Sequence, residues 1–434
     1  MDGPGGSGKT FTYNTLMHIL RGREEIVLCV AWTGIAANLL SGGKTAHSQF
    51  GLPLNLNETS VSSLKENDKR TEILRRAKFI IWDEASMVPK CALEVVDRLF
   101  RQIMKIDLPF GGKCILLGGD FRQILPVVPH GSKTLIIENN IQNSFLWPFF
   151  DILRLTRNMR ANPNEQAFSE WLMSGGNGSI NDNDDLIRLP DQCVITGSII
   201  DHVYPLDEPL DNVDLIKSKC ILCPTNEDTF ELNDQVLDRL KGPHSVFYSY
   251  DSIDCDNEEE KTNFSPEFLN SLTLSGMSLH KLRLKKDAIV VLLRNLNVKH
   301  GICNGTRLRV VNLMKNVIDC EVITGTREGE RFFLPRIILS SADPTLPFKL
   351  CRKQFPIRLA YCMTISKSQG QTFRSVGIYL REPVFTHGQL YVALSRVSSF
   401  DSFKIKIVES DKHGKRGALG YITKNIVYKD ILIN

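Results

Sequence analysis

The stretch Gly3-Pro4-Gly5-Gly6-Ser7-Gly8-Lys9-Thr10 has the residue types and the spacing to hold phosphate. Its glycines let successive backbone N–H groups turn inward around phosphate oxygens, the Lys9 ammonium adds a point charge, and the Thr10 hydroxyl can ligate Mg²⁺. Gly3, Gly5, Gly6, Ser7, Gly8, Lys9 and Thr10 are therefore candidate nucleotide-binding residues. The plainer alternative is a Gly-rich surface turn. It leaves unexplained the helical pattern from Phe11 to Arg21, closed by Gly22, which would set the loop at a positive helix N-terminus.

Further along, Phe79-Ile80-Ile81-Trp82-Asp83-Glu84 ends an apolar run on two carboxylates. Downstream of a phosphate loop, this is the order in which Asp83 would hold Mg²⁺ through water and Glu84 would polarise an attacking water. Gly118-Gly119-Asp120-Phe121-Arg122-Gln123 then supplies an amide, Gln123, able to orient water or a γ-phosphate. Arg160 in LTRNMR and Arg396 in YVALSRV are candidate arginine fingers, with ordinary surface arginines as the alternative. Placed on a separate domain, such a finger would make hydrolysis depend on domain closure.

These residues need a scaffold. From Ile26 to about Leu155 short apolar runs alternate with helical stretches, the pattern of a parallel sheet covered on both faces. Strands are expected at 26–31, 78–83, 113–119 and 152–155, each ending where the chemistry begins. The loop also calls for a strand just before Gly3. Only Met1 and Asp2 stand there, so the expectation is a missing strand, an unanchored loop and an open position in the sheet. The polar stretch 51–77 reads as a small subdomain or exposed hairpin. Residues 161–218 read as a linker region, and a second α/β unit spans 219–434. That unit is interrupted by an acidic exposed loop at 251–263 and by a small β-barrel-like insertion at about 280–350, whose short runs are separated by turn signals.

Composition narrows the partners. At 434 residues, with 42% hydrophobic and 24% charged residues, the chain is expected to be a soluble protein of two or three domains. No apolar run approaches the roughly 18 residues of a membrane span, so no membrane partner is expected. No targeting segment is evident either, and a nuclear location is expected, with mitochondria as the alternative. Eleven cysteines are scattered among apolar runs; Cys220 and Cys223 lie on a strand facing opposite ways, so no zinc site is expected. Residues 181–260 carry a net −15 and residues 349–434 a net +10. That asymmetry fits a polyanion gripped by basic ends, or simply solvated faces.

In order along the chain, GPGGSGKT, WTGIAANLLSGGKTAHS, IIWDEAS, GGDFRQILPV, LTRNMR, LAYCMTISKSQGQTF and YVALSRV resemble the motifs of Pif-type DNA helicases of superfamily one, especially the helicase regions of Helitron transposons. The resemblance covers nearly the whole chain. It implies an α/β fold of two RecA-like domains with ATP and Mg²⁺ as cofactors, and 5′-to-3′ movement on single-stranded DNA and duplex junctions, as a monomer. It also implies a role in replication, repair, recombination or telomere maintenance. By position, Lys9 and Thr10 match the nucleotide loop, Asp83 and Glu84 the metal and water residues, Gln123 the γ-phosphate sensor, and Arg160 and Arg396 the two arginines that reach ATP. Thr33, Gly34, Thr45, His47, Ser366, Lys367 and Gln369 fall in segments similar to DNA-contacting motifs, and Gly370 follows them as a further nucleotide-site residue.

Overall fold

Val27–Ala31 (β1) is a wholly apolar run and Phe79–Asp83 (β3) a run of β-branched and aromatic residues ending on a carboxylate, both of a kind that a strand can bury on both faces at once. They pair in parallel from Val27 opposite Phe79 to Ala31 opposite Asp83 in the computed structural model. The structure describes residues 1–434 except 129–130, 160–164, 255–263, 298–300, 326, 342–345 and 433–434. By contact it divides into two compact units. The first comprises Met1–Ile195, Ser368–Thr372 and Leu380–Asn434, the second Thr196–Lys367 and Phe373–Tyr379.

In the first unit, Lys44–Thr45 (β2) and Cys114–Leu117 (β4) complete a parallel sheet of order β2-β1-β3-β4. Helix α1 (Lys9–Gly22) covers one face, where Tyr13 and Met17, four residues apart, meet Cys29, Ala31 and Ile81. The other face packs Trp82 and Phe50 against Leu93, Val96, Leu99 and Phe100. Those four recur at helical spacing on Lys90–Met104, and the Phe50 ring centroid lies 5.5 Å from that of Trp82. Between the sheet strands run α2 (Gly34–Leu39) and α3 (Ala46–Phe50).

Three expectations are corrected here. The loop is tethered to the sheet: Asp2 bridges Gly119 and Arg154 in parallel, and the Gly3 N–H donates to the Gly119 carbonyl at 3.2 Å. Residues 152–155 form no strand beyond that single bridge, because Ile152 and Leu153 stay exposed and the described ladder partner is Asp2 alone. Of the two readings of the stretch after Gly51, the hairpin is excluded, because no strand forms there. Its Ser62 hydroxyl donates to the Phe50 carbonyl at 2.6 Å, and the chain then enters a helix over Lys69–Arg76. Farther along, Gln166–Asn177 is helical and buries Phe168 and Leu172.

The second unit holds parallel strands Cys362–Thr364 and Lys219–Cys223 and all but the last residue of Ser375–Leu380. Helix Asn226–Arg239 packs on them through Val236 and Leu237, and its Asn233 side chain satisfies the backbone of Tyr361 and Cys362. The β-rich insertion reaches back to Ser245. It comprises a five-stranded antiparallel sheet (331–335, 317–322, 307–313, 289–292, 357–359), a three-stranded one (337–340, 349–354, 250–254) and a two-stranded one (245–248, 281–284). Arg352, fully buried, donates to both carboxylate oxygens of Asp251 and to the carbonyls of Leu269, Leu272 and Ser278. A buried guanidinium is tolerated because every donor finds an acceptor. Together with the parallel strands of the first unit, this is an α/β, RecA-like architecture. Among the described residues no helix is long and apolar enough to cross a membrane.

Candidate functional site

Gly6 and Gly8 have φ of 85° and 88°, in the left-handed region where a side chain would be strained. That turn directs the loop into the start of α1, and it lines a cavity of about 320 Å³ with Gly5, Gly6, Ser7, Gly8, Lys9 and Thr10. Gly3 lies behind this wall, its carbonyl accepting from Lys9 Nζ at 2.6 Å; Pro4 accepts from the same ammonium at 3.2 Å. The Ser7 hydroxyl is buried with no partner among the described residues, and the Thr10 hydroxyl sits exposed on the first helical turn. Inward donors, a parked ammonium and an unsatisfied hydroxyl suit an anion at a helix N-terminus.

Asp83 and Glu84 enter the same cavity from the end of β3. Both residues are half-buried. Burial raises the Asp83 pKa, opposed by Lys9 and by the Tyr13 hydroxyl, which donates to Asp83 Oδ1 at 3.3 Å. Burial and the Asp83 charge push Glu84 up to about 7. Glu84 also has φ 57°, ψ 37°, a strained conformation for a residue with a side chain, and one that turns the chain sharply out of the strand. Tyr13 reaches Asp83 only because residue 118 is glycine: a Cβ there would stand 1.6 Å from the Tyr13 hydroxyl oxygen.

The third wall is built around Asp120, whose carboxylate is buried. It accepts from Gln123 Nε2 (3.2 Å), Arg122 (3.3 Å) and the Tyr391 hydroxyl (2.9 Å). Gln123 lines the cavity, and Gln369 Nε2 donates to its Oε1 at 3.5 Å. Arg396 and Gly370 complete the lining. The Arg396 guanidinium donates to the carbonyls of Val392, Ser368 and Gln371 and to the Ser395 hydroxyl. Gly370, at φ +74°, has space for a Cβ only 3.9 Å from Glu84 Oε1. The structure thus gathers Lys9, Thr10, Asp83, Glu84, Gln123, Gly370 and Arg396 around one cavity. Arg160 lies outside the described residues.

Thr33, Gly34, Thr45, His47, Ser366 and Lys367 are not among the residues lining that cavity, and Gln369 meets it only through Gln123. Thr33 and Thr45 each cap a helix, accepting from the backbone N–H of Ala36 and Ser48 at 3.3 Å, with Gly34 beginning α2. His47 packs on Trp32 with ring centroids 4.5 Å apart, and its burial lowers its pKa. Ser366 is exposed and Lys367 half-buried, both in the second unit. Burial, with Arg358 adding repulsion, lowers Lys367 to about 8. Sequence reasoning missed Tyr13, Tyr391 and the role of Asp120. A phenol at a buried helical position, needing a partner for its hydroxyl, was the available signal for Tyr13.

Residues 1–186 match the family model of the PIF1-like helicase, and residues 267–313 match that of the 2B domain of DNA helicase Pif1. The chain is 28% identical over 403 residues to the ATP-dependent DNA helicase Pif1 of Bdellovibrio bacteriovorus, spanning 92% of this chain and 82% of that protein. It is 27% identical over 411 residues to the ATP-dependent DNA helicase PIF1 of Homo sapiens, spanning 93% of this chain and 57% of the human protein. Among solved structures, Bacteroides Pif1 bound to single-stranded DNA aligns with a TM-score of 0.65 at 26% identity, over 93% of this chain and 87% of that one. Bacteroides Pif1 in complex with ADP-AlF3 and single-stranded DNA aligns at 0.66 and 25%, with the same coverage.

Proposed function

We propose that this chain is a member of the PIF1-like helicase family and an ATP-dependent DNA helicase that moves 5′ to 3′ along single-stranded DNA and opens duplexes. The observation that carries the reading is the convergence of Lys9, Glu84, Gln123 and Arg396 on one cavity beside the phosphate loop. Lys9 exchanges its two carbonyl partners for phosphate oxygens, while the loop amides and the Ser7 hydroxyl take up further oxygens. Glu84 accepts the proton of the attacking water, and its pKa near 7 suits a general base at neutral pH. Gln123 orients that water or the terminal phosphate, and Arg396 leaves its carbonyl acceptors for the charge that develops there. Arg160 is proposed as the second arginine.

The Thr10 hydroxyl and the Asp83 carboxylate are hard oxygen donors on the cavity wall and fit Mg²⁺, which would neutralise phosphate charge. Tyr13 holds Asp83 in place for that role. Thr33, Gly34, Thr45, His47, Ser366, Lys367 and Gln369 are the proposed contacts to the DNA strand, and the insertion is read as a barrel-like unit, in keeping with its match to the 2B model. A Helitron origin, monomeric action on DNA, a nuclear location and work in repair, recombination, replication or telomere maintenance complete the reading. Flanking genomic sequence, sedimentation on DNA and imaging of a tagged chain test these. The decisive assay is ATP hydrolysis by the purified chain. Stimulation by single-stranded DNA and loss in Lys9→Ala are expected; retention of oligonucleotide with no hydrolysis at all would contradict the proposal.

A further inference from the structure

We propose that Tyr391 is a positioning residue that ties the phosphate loop to Gln123 through the Asp120 carboxylate. Its hydroxyl accepts from the Gly5 N–H at 3.2 Å and donates to Asp120 Oδ2 at 2.9 Å. The same oxygen accepts from Gln123 Nε2 at 3.2 Å. Two oxygens in series, the Tyr391 hydroxyl and Asp120 Oδ2, therefore join a loop amide on one side to the Gln123 amide on the other. Asp120 Oδ1 is taken up by Arg122, whose guanidinium also lies 3.9 Å from Asp2. The carboxylate cannot turn without losing partners, and at 1% exposure it is largely shielded from solvent.

The ring is held as firmly as the hydroxyl. Every residue of the helix Gln389–Leu394 is buried, and the Tyr391 ring packs so closely on Gly176 that a Cβ there would approach it to 2.8 Å. Arg396 follows five residues later on the same segment, its guanidinium accepted by the Val392 carbonyl. Tyr391 and Arg396 thus move as one piece. A shift of the loop on binding phosphate reaches Gln123 through Asp120, and reaches Arg396 through the helix. The inference rests on the ATPase reading, and it is tested on a measurement that does not need turnover.

That measurement is amide hydrogen exchange of the phosphate-loop peptide in the nucleotide-free chain. Tyr391→Phe keeps the ring and removes the hydroxyl, so exchange at Gly5 should quicken while peptides of the β-rich insertion stay unchanged. In steady-state hydrolysis with a dT oligonucleotide, the same variant should lower kcat about tenfold with KM for ATP held within about threefold. Asp120→Asn cuts the path from the other side. The double variant should be no slower than the slower single one, because both remove one linkage. Unchanged exchange with unchanged kcat overturns the proposal, as do additive losses or a change in KM alone. Faster exchange in a chain whose parent hydrolyses no ATP keeps the tether and overturns the ATPase reading instead. Should Tyr391→Phe fail to fold, Asp120→Asn decides between the same outcomes.

Discussion

At the scale of single residues, Glu84 carries the most information, because one environment sets both its chemistry and its cost. Folding raises its pKa to about 7 from the 4.5 of a free glutamate. The folded state therefore holds the proton more tightly than the unfolded one, so this group's contribution to stability is present below about pH 4.5 and lost as pH rises through about 7. Glu84→Gln keeps the shape and removes the charge. Its melting temperature should exceed that of the parent at pH 8 and come close to it at pH 4, while ATP hydrolysis at pH 8 falls by at least about 100-fold. Thermal scans at the two pH values check this, and a variant less stable than the parent at pH 8 would contradict the burial of the charged form. Residue types at fixed spacing made Lys9, Asp83, Glu84 and Gln123 legible in the sequence. Tyr391 was not, because its partners Asp120 and Gly5 stand 271 and 386 residues away and no local pattern encodes a contact of that range.

At the scale of elements, strands β1 and β3 fall within one residue of their expected bounds because each is a continuous apolar run covered on both faces. Residues 152–155 look equally apolar and yet form only one bridge; a run's hydrophobicity says nothing of whether a neighbouring strand is there to pair with it. The helix at Gln389–Leu394 depends on a glycine for its placement. Gly388 has φ +69°, and a Cβ there would stand 2.2 Å from the Arg122 carbonyl. Gly388→Ala should lower the unfolding free energy by about 1–3 kcal/mol, read from denaturant midpoints, and weaken hydrolysis with it, since Tyr391 and Arg396 ride on this helix. Stability equal to the parent would show that the helix can shift without loss.

At the scale of the whole molecule, the net +10 over residues 349–434 and the net −15 over residues 181–260 are informative only when tied to a ligand. Grip on a sugar-phosphate backbone releases counterions, so affinity for a dT oligonucleotide should fall linearly on a log–log plot against salt, by about 0.7 per phosphate neutralised. Lys367→Ala should flatten that slope by about one such contact across all sequences, as titration by fluorescence anisotropy would reveal. An unaltered slope would remove Lys367 from the DNA path. The most direct test of the account is unwinding of two partial duplexes, one with a 5′ single-stranded tail and one with a 3′ tail, by the purified chain with ATP and Mg²⁺. Strand separation from the 5′ tail alone, absent in Lys9→Ala, is the expected result. Separation from the 3′ tail alone, or separation without ATP, would contradict it.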